Sequence, residues 1–481
     1  KKSVAFIVDD EISKYQQIMF NSDVEYLKER SYDIEDIKNR IIRNLSKKKW
    51  VSRIENDVAV ISKSISPADT LLFTRVNAKG YVTDFGGLTS HAAIVARSLN
   101  IPAVVGTHDA TNLIKDGDTI IIDGYHGEVI INPTQDQLDY YKAKIEKLHK
   151  YDEELRKLKD EPARTLDGRE IELTANIDLM KEVEIAIANG ASGVGLVRTE
   201  QIFDLMDEFP DEEEQYKIYK SLAEKIYPNE VTIRTFDIGG DKVLPIDLKE
   251  PNPFLGWRGI RFLLDNRELF HSQLKAILRA NKYGNLKVMV PMIASIKEIN
   301  ETKSHLKQAV EELKAEGKEY NEHLQLGIMV EVPSAAVMAD TFAKHVDFIS
   351  IGTNDLIQYL LAVDRGNENV SDQYQEFHPA VIRSLYYIIQ GGKKGKAFTT
   401  ICGEMAADPM AVPLLVGLGL DSISVSPAAI PHTKKIIRSI NFKDAKKIAE
   451  ECLQMETENE IKEVLKKFYD KEVEDEIEKI F

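Results

Sequence analysis

Residues 326–355 read LGIMVEVPSAAVMADTFAKHVDFISIGTND. Two apolar runs in this stretch, Leu326–Glu331 and Val346–Ile351, have the length and composition of buried strands. Polar groups follow each run at once: Glu331 ends the first, while Asn354 and Asp355 come just after the second. The same alternation extends outward in both directions from residue 165. Further strands are predicted at Ile171–Ala175, Gly193–Val197, Val231–Phe236, Lys287–Pro291, Phe398–Cys402 and Ser422–Ser426. Helical spacing appears between most of them, at Met180–Asn189, Gln215–Ile226, Phe270–Ala280 and Ser295–Glu312. Eight strands alternating with helices over roughly 300 residues predict an α/β fold, a (β/α)8 barrel.

Such barrels carry their reactive groups at the C-terminal ends of the strands. Here Arg198 follows a strand in GVGLVRTE, and Arg234 lies in TIRTFDIGGDK. Arg365 comes shortly after Asp355, in AVDRGN, and Cys402 ends a strand in ICGE. Singly, each residue reads as a salt bridge, cap or buried thiol. Their joint placement on one rim is harder to explain structurally, because buried unpaired charge is costly. Three arginines supply paired donors for phosphate and carboxylate oxygens. Glu331 and Asp355 are hard carboxylates that suit Mg²⁺, which takes few protein ligands and leaves room for substrate oxygens. A thiol such as Cys402 can donate a proton to carbon.

A second constellation lies at residues 86–106, GGLTSHAAIVARSLNIPAVVG. A short strand, Tyr81–Thr83, leads into paired glycines; Thr89 and Ser90 are good N-caps, and Ala92, Val95, Ala96 and Leu99 fall on one helical face. His91 is thereby predicted in the first turn of a helix. There, free N–H groups and the positive end of the dipole favour an anion and keep the imidazole neutral and nucleophilic. Strands at Val58–Ile61, Ala103–Val105 and Thr119–Ile122 make this region a small α/β domain. The charged segment 135–160, with Leu138, Tyr141, Ile145 and Leu148 at helical spacing, reads as a solvated connecting helix. Residues 1–45 read as helical.

The totals narrow the class. A chain of 481 residues with 43% hydrophobic and 30% charged content is a soluble protein of two or three domains. A net charge of −16 argues against nucleic-acid or anionic-membrane binding. Two cysteines, Cys402 and Cys452, point to a reducing compartment, and no apolar run approaches membrane-spanning length. The cytoplasm is the expected location. Cys452 reads as a buried thiol.

The block at 86–106 closely resembles the phosphohistidine signature of the phosphoenolpyruvate (PEP)-utilising enzymes. With NPFLGWRGIR, GTNDLIQY and the strand-end residues, nearly the whole chain resembles enzyme I of the PEP-dependent sugar phosphotransferase system. The resemblance implies a phosphotransferase that takes the phosphoryl group of PEP onto His91 through Nε2, releases pyruvate, and passes the group to the carrier protein HPr. It implies PEP binding by Arg198, Arg234, Asn354, Asp355 and Arg365, Mg²⁺ on Glu331 and Asp355, and Cys402 as proton donor. The resemblance further implies Lys242 and Arg258 as phosphate contacts, Thr70 of SPADT as a partner of the histidine, and a homodimer joined through the barrel. Leu88 departs from the family's usual basic residue, and Glu376 stands where proline is common.

The expected organisation is a helical remnant at 1–46, a swivelling α/β phosphohistidine domain at 47–134, a linker at 135–162 and a PEP-binding TIM barrel at 163–481. The segment DVEYLKERSYDIEDIKNRIIRNL, residues 23–45, resembles the end of the helical subdomain that docks HPr. Most of that subdomain is expected to be missing, so PEP chemistry is expected without efficient transfer to HPr. Two other readings stand beside this one. The chain could be a piece of a PEP synthase or pyruvate phosphate dikinase, though no ATP-grasp domain is visible, or a regulatory protein that binds PEP without relaying phosphate.

Overall fold

The computed structural model describes residues 8, 11–15, 19, 38, 58–63, 78–85, 101–178, 180–200, 209–239, 250, 252–365, 367 and 370–473. They fall into two compact units, one ending at His149 and the other beginning at Lys150. His91, Leu88, Thr70 and Lys242 lie outside the described residues, as does most of the segment 1–45.

In the first unit β1 (Ala59–Ser62), β2 (Gly80–Thr83) and β3 (Ala103–Val104) form a parallel sheet in the order β1-β2-β3. The central strand β2 is buried along its length, as its apolar run predicts. β4 (Ile120–Asp123) and β5 (Glu128–Ile131) form an antiparallel hairpin. The sequence pattern did not mark β5, which is only half-buried and so lacks a strong apolar signal. Asp123, at the end of β4, is buried and accepts hydrogen bonds from the Tyr125 and His126 N–H groups at 3.1 Å. Lys144 Nζ reaches it at 3.3 Å. Burial alone would raise this carboxyl, but the donors from His126 and Lys144 outweigh it and hold Asp123 well below the usual carboxylate range.

A continuous helix, Gln135–Lys157, occupies the predicted linker. Its buried positions correct the expected stripe. Ile145 is 52% exposed, whereas Lys144, Tyr151 and Leu155 are buried. Leu138, Tyr141 and Leu148 are half-buried as the stripe predicts; it departs only at 145, where the Lys144 stem packs instead while its ammonium pairs with Asp123. The helix is therefore not solvated all round.

The second unit is the barrel. β6 (Glu172–Ile177), β7 (Val194–Val197), β8 (Val231–Arg234), β9 (Leu286–Val290), β10 (Gln325–Val330), β11 (Phe348–Ile351), β12 (Phe398–Ile401) and β13 (Ser422–Val425) close on themselves. All eight pairings are parallel. Every strand lies within two residues of its predicted span. Alternation divides the side chains between two cores. On β11, Ile349 and Ile351 pack outward with the helices. Phe348 points inward, joining Leu196, Met289, Met329 and Cys402 in a smaller interior cluster.

The helices Glu212–Ile226 and Arg267–Ala280 begin three residues earlier than their apolar patterns do. For the first, Asp211 and Glu214 form a capping box that starts the helix in a purely acidic turn, where apolar periodicity is silent. A second capping box at Ser295 and Glu298 starts the helix Ile296–Glu316 where the sequence predicts. Each such cap contributes about 1 kcal/mol. No helix among the described residues is long and apolar enough to cross a membrane.

Candidate active site

The barrel gathers most of the predicted chemistry at one end of its strands. Arg234 is the last residue of β8, Glu331 follows β10, and Cys402 follows β12. Asn354 and Asp355 occupy the first turn of the helix Thr353–Leu361, which begins directly after β11. An acidic group there also lies at the favourable end of the helix dipole.

Arg258 organises the centre of this rim. It is 1% exposed, and its guanidinium is held by two carboxylates from different parts of the chain. Nε and Nη2 donate to Asp237 at 3.0 and 2.9 Å; Nη1 and Nη2 donate to Asp355 at 3.2 and 2.8 Å. Nη1 also donates to the Tyr359 hydroxyl at 3.2 Å, which in turn donates to the Phe254 carbonyl. Two glycines permit this approach. Gly239, at φ +98°, passes so close to the Trp257 carbonyl that a Cβ there would lie 2.1 Å from its oxygen, and Gly259 follows Arg258 at φ +58°.

Arg234, also buried, pairs with Glu200 at 2.8 Å and with Asp237 at 3.5 Å. Its Nε is buried with no hydrogen-bond partner among the described residues, and the same holds for Thr353 Oγ1. Unspent buried donors beside a rim are what an oxygen-rich ligand would satisfy. Glu331 Oε1 accepts the Met292 N–H at 2.6 Å, and Met292 holds φ at +58°. A non-glycine residue in that region costs about 1–3 kcal/mol, so the surrounding structure enforces this contact. Burial, then the charges of Asp355 and Asp237, push Glu331 up to about 7.

The other residues are less enclosed. Arg198 pairs with Asp178 at 3.3 Å and is partly exposed. Asn354 Oδ1 accepts the Glu404 N–H at 2.9 Å, and its carbonyl accepts the Tyr374 hydroxyl. Arg365 lies exposed in the loop beyond the helix, where its backbone N–H donates to Gln358. Cys402 is 3% exposed. Burial pushes its thiol up, opposed by a hydrogen bond from Ser350 and by the charges of Arg234 and Arg198. Cys452 is buried elsewhere, its thiol pushed up to about 12 by burial. Glu376 is pushed up to about 7 by burial and by Asp408 and Glu404.

Sequence reasoning gave no role to Asp237, Glu200 or Ser350. Asp237 and Glu200 lie inside the quoted motifs TIRTFDIGGDK and GVGLVRTE, but their partners are distant in sequence. Arg258, a secondary candidate there, is the centre of the network here.

A parallel eight-stranded barrel with arginines and carboxylates at the C-terminal ends of its strands is an α/β barrel with a rim suited to an anionic ligand. The family model for the PEP-utilising enzyme, PEP-binding domain, matches residues 152–442, and that for the mobile domain matches residues 54–127. Among curated proteins, the phosphoenolpyruvate-protein phosphotransferase of Haemophilus influenzae is 45% identical over 466 residues, 96% of this chain and 80% of that one. The enzyme of the same name from Listeria innocua is 45% identical over 94% of this chain and 80% of its own. That of Staphylococcus carnosus is 43% identical over 97% and 82%. The chain belongs to the phosphoenolpyruvate-protein phosphotransferase family.

Proposed function

We propose that this chain transfers the phosphoryl group of PEP to its own His91 and releases pyruvate, the first half of a relay that serves the sugar phosphotransferase system through the carrier HPr. The observation that carries the reading is the rim built by Arg234, Arg258, Asp237, Glu331 and Asp355, with the Arg234 Nε buried and unpartnered among the described residues. Family membership supports the same reaction over a PEP synthase, a dikinase or a PEP-binding regulator.

The residues fit a divalent cation. Glu200, Asp237, Glu331 and Asp355 bring four carboxylates against the two guanidinium groups of Arg234 and Arg258. That imbalance matches the charge of Mg²⁺, and Glu331 and Asp355 would hold it. When bound, Mg²⁺ would stabilise the negative charge of the leaving enolate.

The chain's own groups do the rest. Arg198, Arg234 and Arg365 bind phosphate and carboxylate oxygens, with Asn354 as a neutral donor and Arg258 bracing Asp355. His91 Nε2 attacks phosphorus, the bond from phosphorus to the enol oxygen breaks, and the enolate of pyruvate is left in the site. The Cys402 S–H then gives its proton to carbon 3, and pyruvate forms. The segments 1–46, 47–134, 135–162 and 163–481 are the proposed helical, phosphohistidine, linker and barrel regions. A cytoplasmic homodimer joined through the barrel completes the reading.

Mixing the chain with PEP and Mg²⁺ should release one equivalent of pyruvate per chain in a burst, read with a coupled dehydrogenase. Excess EDTA should abolish the burst and added Mg²⁺ restore it. A full burst in EDTA, or none with Mg²⁺, would overturn the proposal.

A further inference from the structure

The interior of the barrel beneath the rim contains a contact that the phosphotransfer scheme leaves unused. Ser350 sits on β11 opposite Thr400 of β12, and Cys402 lies two residues beyond Thr400. Side chains two apart on a strand share a face, so Ser350, Thr400 and Cys402 all address the barrel interior. The Ser350 hydroxyl donates to Cys402 Sγ at 3.3 Å, within the longer reach of sulfur, and Ser350 is fully buried. The thiol in turn contacts the Ile351 carbonyl at 3.7 Å. The sulfur is therefore fixed from both sides by consecutive residues of β11. The hydroxyls of Thr400 and Thr174 are buried without a partner among the described residues.

We infer that Ser350 is a positioning residue for Cys402, aiming its S–H bond and remaining as donor to the thiolate once the proton has gone to carbon 3 of enolpyruvate. The inference rests on the reading of Cys402 as proton donor. The step balances. The S–H bond breaks, and the electron pair of the enolate C=C bond forms the new C–H bond. The carbonyl of pyruvate forms, and sulfur keeps its pair as thiolate. A thiolate made at this buried position needs a hydrogen-bond donor, and the Ser350 hydroxyl is already directed at it. Reprotonation from water resets the thiol for the next cycle.

The test follows the methyl hydrogens of pyruvate exchanging with D₂O in the presence of the full chain, PEP and Mg²⁺, read by proton NMR. Each reversal of the half-reaction needs Cys402 to remove and return a proton at carbon 3. Ser350→Ala should slow exchange about 10- to 100-fold, the size expected for one hydrogen bond to a charged group. Its pH profile should move to the alkaline side by about one pH unit, with the KM for PEP unchanged within about twofold. In a Cys452→Ser background carrying ¹³Cβ-cysteine, the Cys402 resonance should titrate at higher pH when Ser350 is alanine. Ser350→Thr, which keeps the hydroxyl, should retain the wild-type profile. An unchanged rate and profile in Ser350→Ala would overturn the inference, as would equal loss in the alanine and threonine variants, which would assign the effect to packing. The Cys402→Ala chain separates the two levels. If exchange persists there, the proton donor lies elsewhere and both readings fall; if exchange is lost there but not in Ser350→Ala, only the role of Ser350 falls.

Discussion

Glu331→Gln is expected to give a folded chain that no longer forms pyruvate from PEP at a useful rate. The substitution keeps the size and the acceptor for the Met292 N–H while removing the charge that would hold Mg²⁺. Loss of one preorganised group that stabilises transition-state charge costs about 10²–10³ in rate, and loss of a metal ligand should reach at least that. Stability should go the other way. The Glu331 carboxyl is buried, and the charges of Asp355 and Asp237 act against its ionised form. In metal-free buffer, removing that charge relieves a repulsion and should leave the melting temperature equal or higher. Burst kinetics and calorimetry on the same preparation read both. A variant that keeps wild-type turnover would remove Glu331 from the chemistry, and a marked loss of stability would show that its charge is structural.

Arg258→Met should have the opposite profile, failing in both stability and activity. The Arg258 guanidinium is the counter-charge of Asp237 and Asp355, and all three groups are buried. Methionine fills much of the space but leaves two carboxylates facing each other. Breaking a buried ion pair by removing one partner costs about 3–5 kcal/mol, and here one removal breaks two pairs. The melting transition of the barrel should fall accordingly, and Asp237→Asn in the same background should restore part of it. Activity should not return in the double variant, because Asp355 would still lack its brace. A single variant melting within about 1 kcal/mol of wild type would contradict this account of the rim.

The eight barrel strands were legible because a parallel strand covered on both faces reads as an unbroken apolar run. Glu331, Cys402 and Asp355 were legible for a related reason, since a polar group just past such a run must lie at a rim. Helix starts were less legible: the charged capping box at Asp211 contributes nothing to apolar periodicity. Asp237 was missed because its role depends on a guanidinium 21 residues away, and that guanidinium also reaches a carboxylate 97 residues away. Spacing along the chain carries no trace of such contacts. Ser350 was hidden differently, as one small hydroxyl inside the run FISI, where alternation suggests only a weak interior position. The linker stripe failed at one position, where a lysine stem and its ion pair take the buried place that hydropathy gives to Ile145. The family motif makes His91 the proposed nucleophile, and one experiment tests that role directly.

That experiment is to map the phosphoryl group itself. The chain is incubated with PEP and Mg²⁺, digested under alkaline conditions that spare phosphohistidine, and sequenced by mass spectrometry. The account predicts one phosphoryl group per chain, carried on the peptide containing His91, acid-labile, and absent from His91→Ala. Stoichiometric label on any other residue, or undiminished label in His91→Ala, would contradict it.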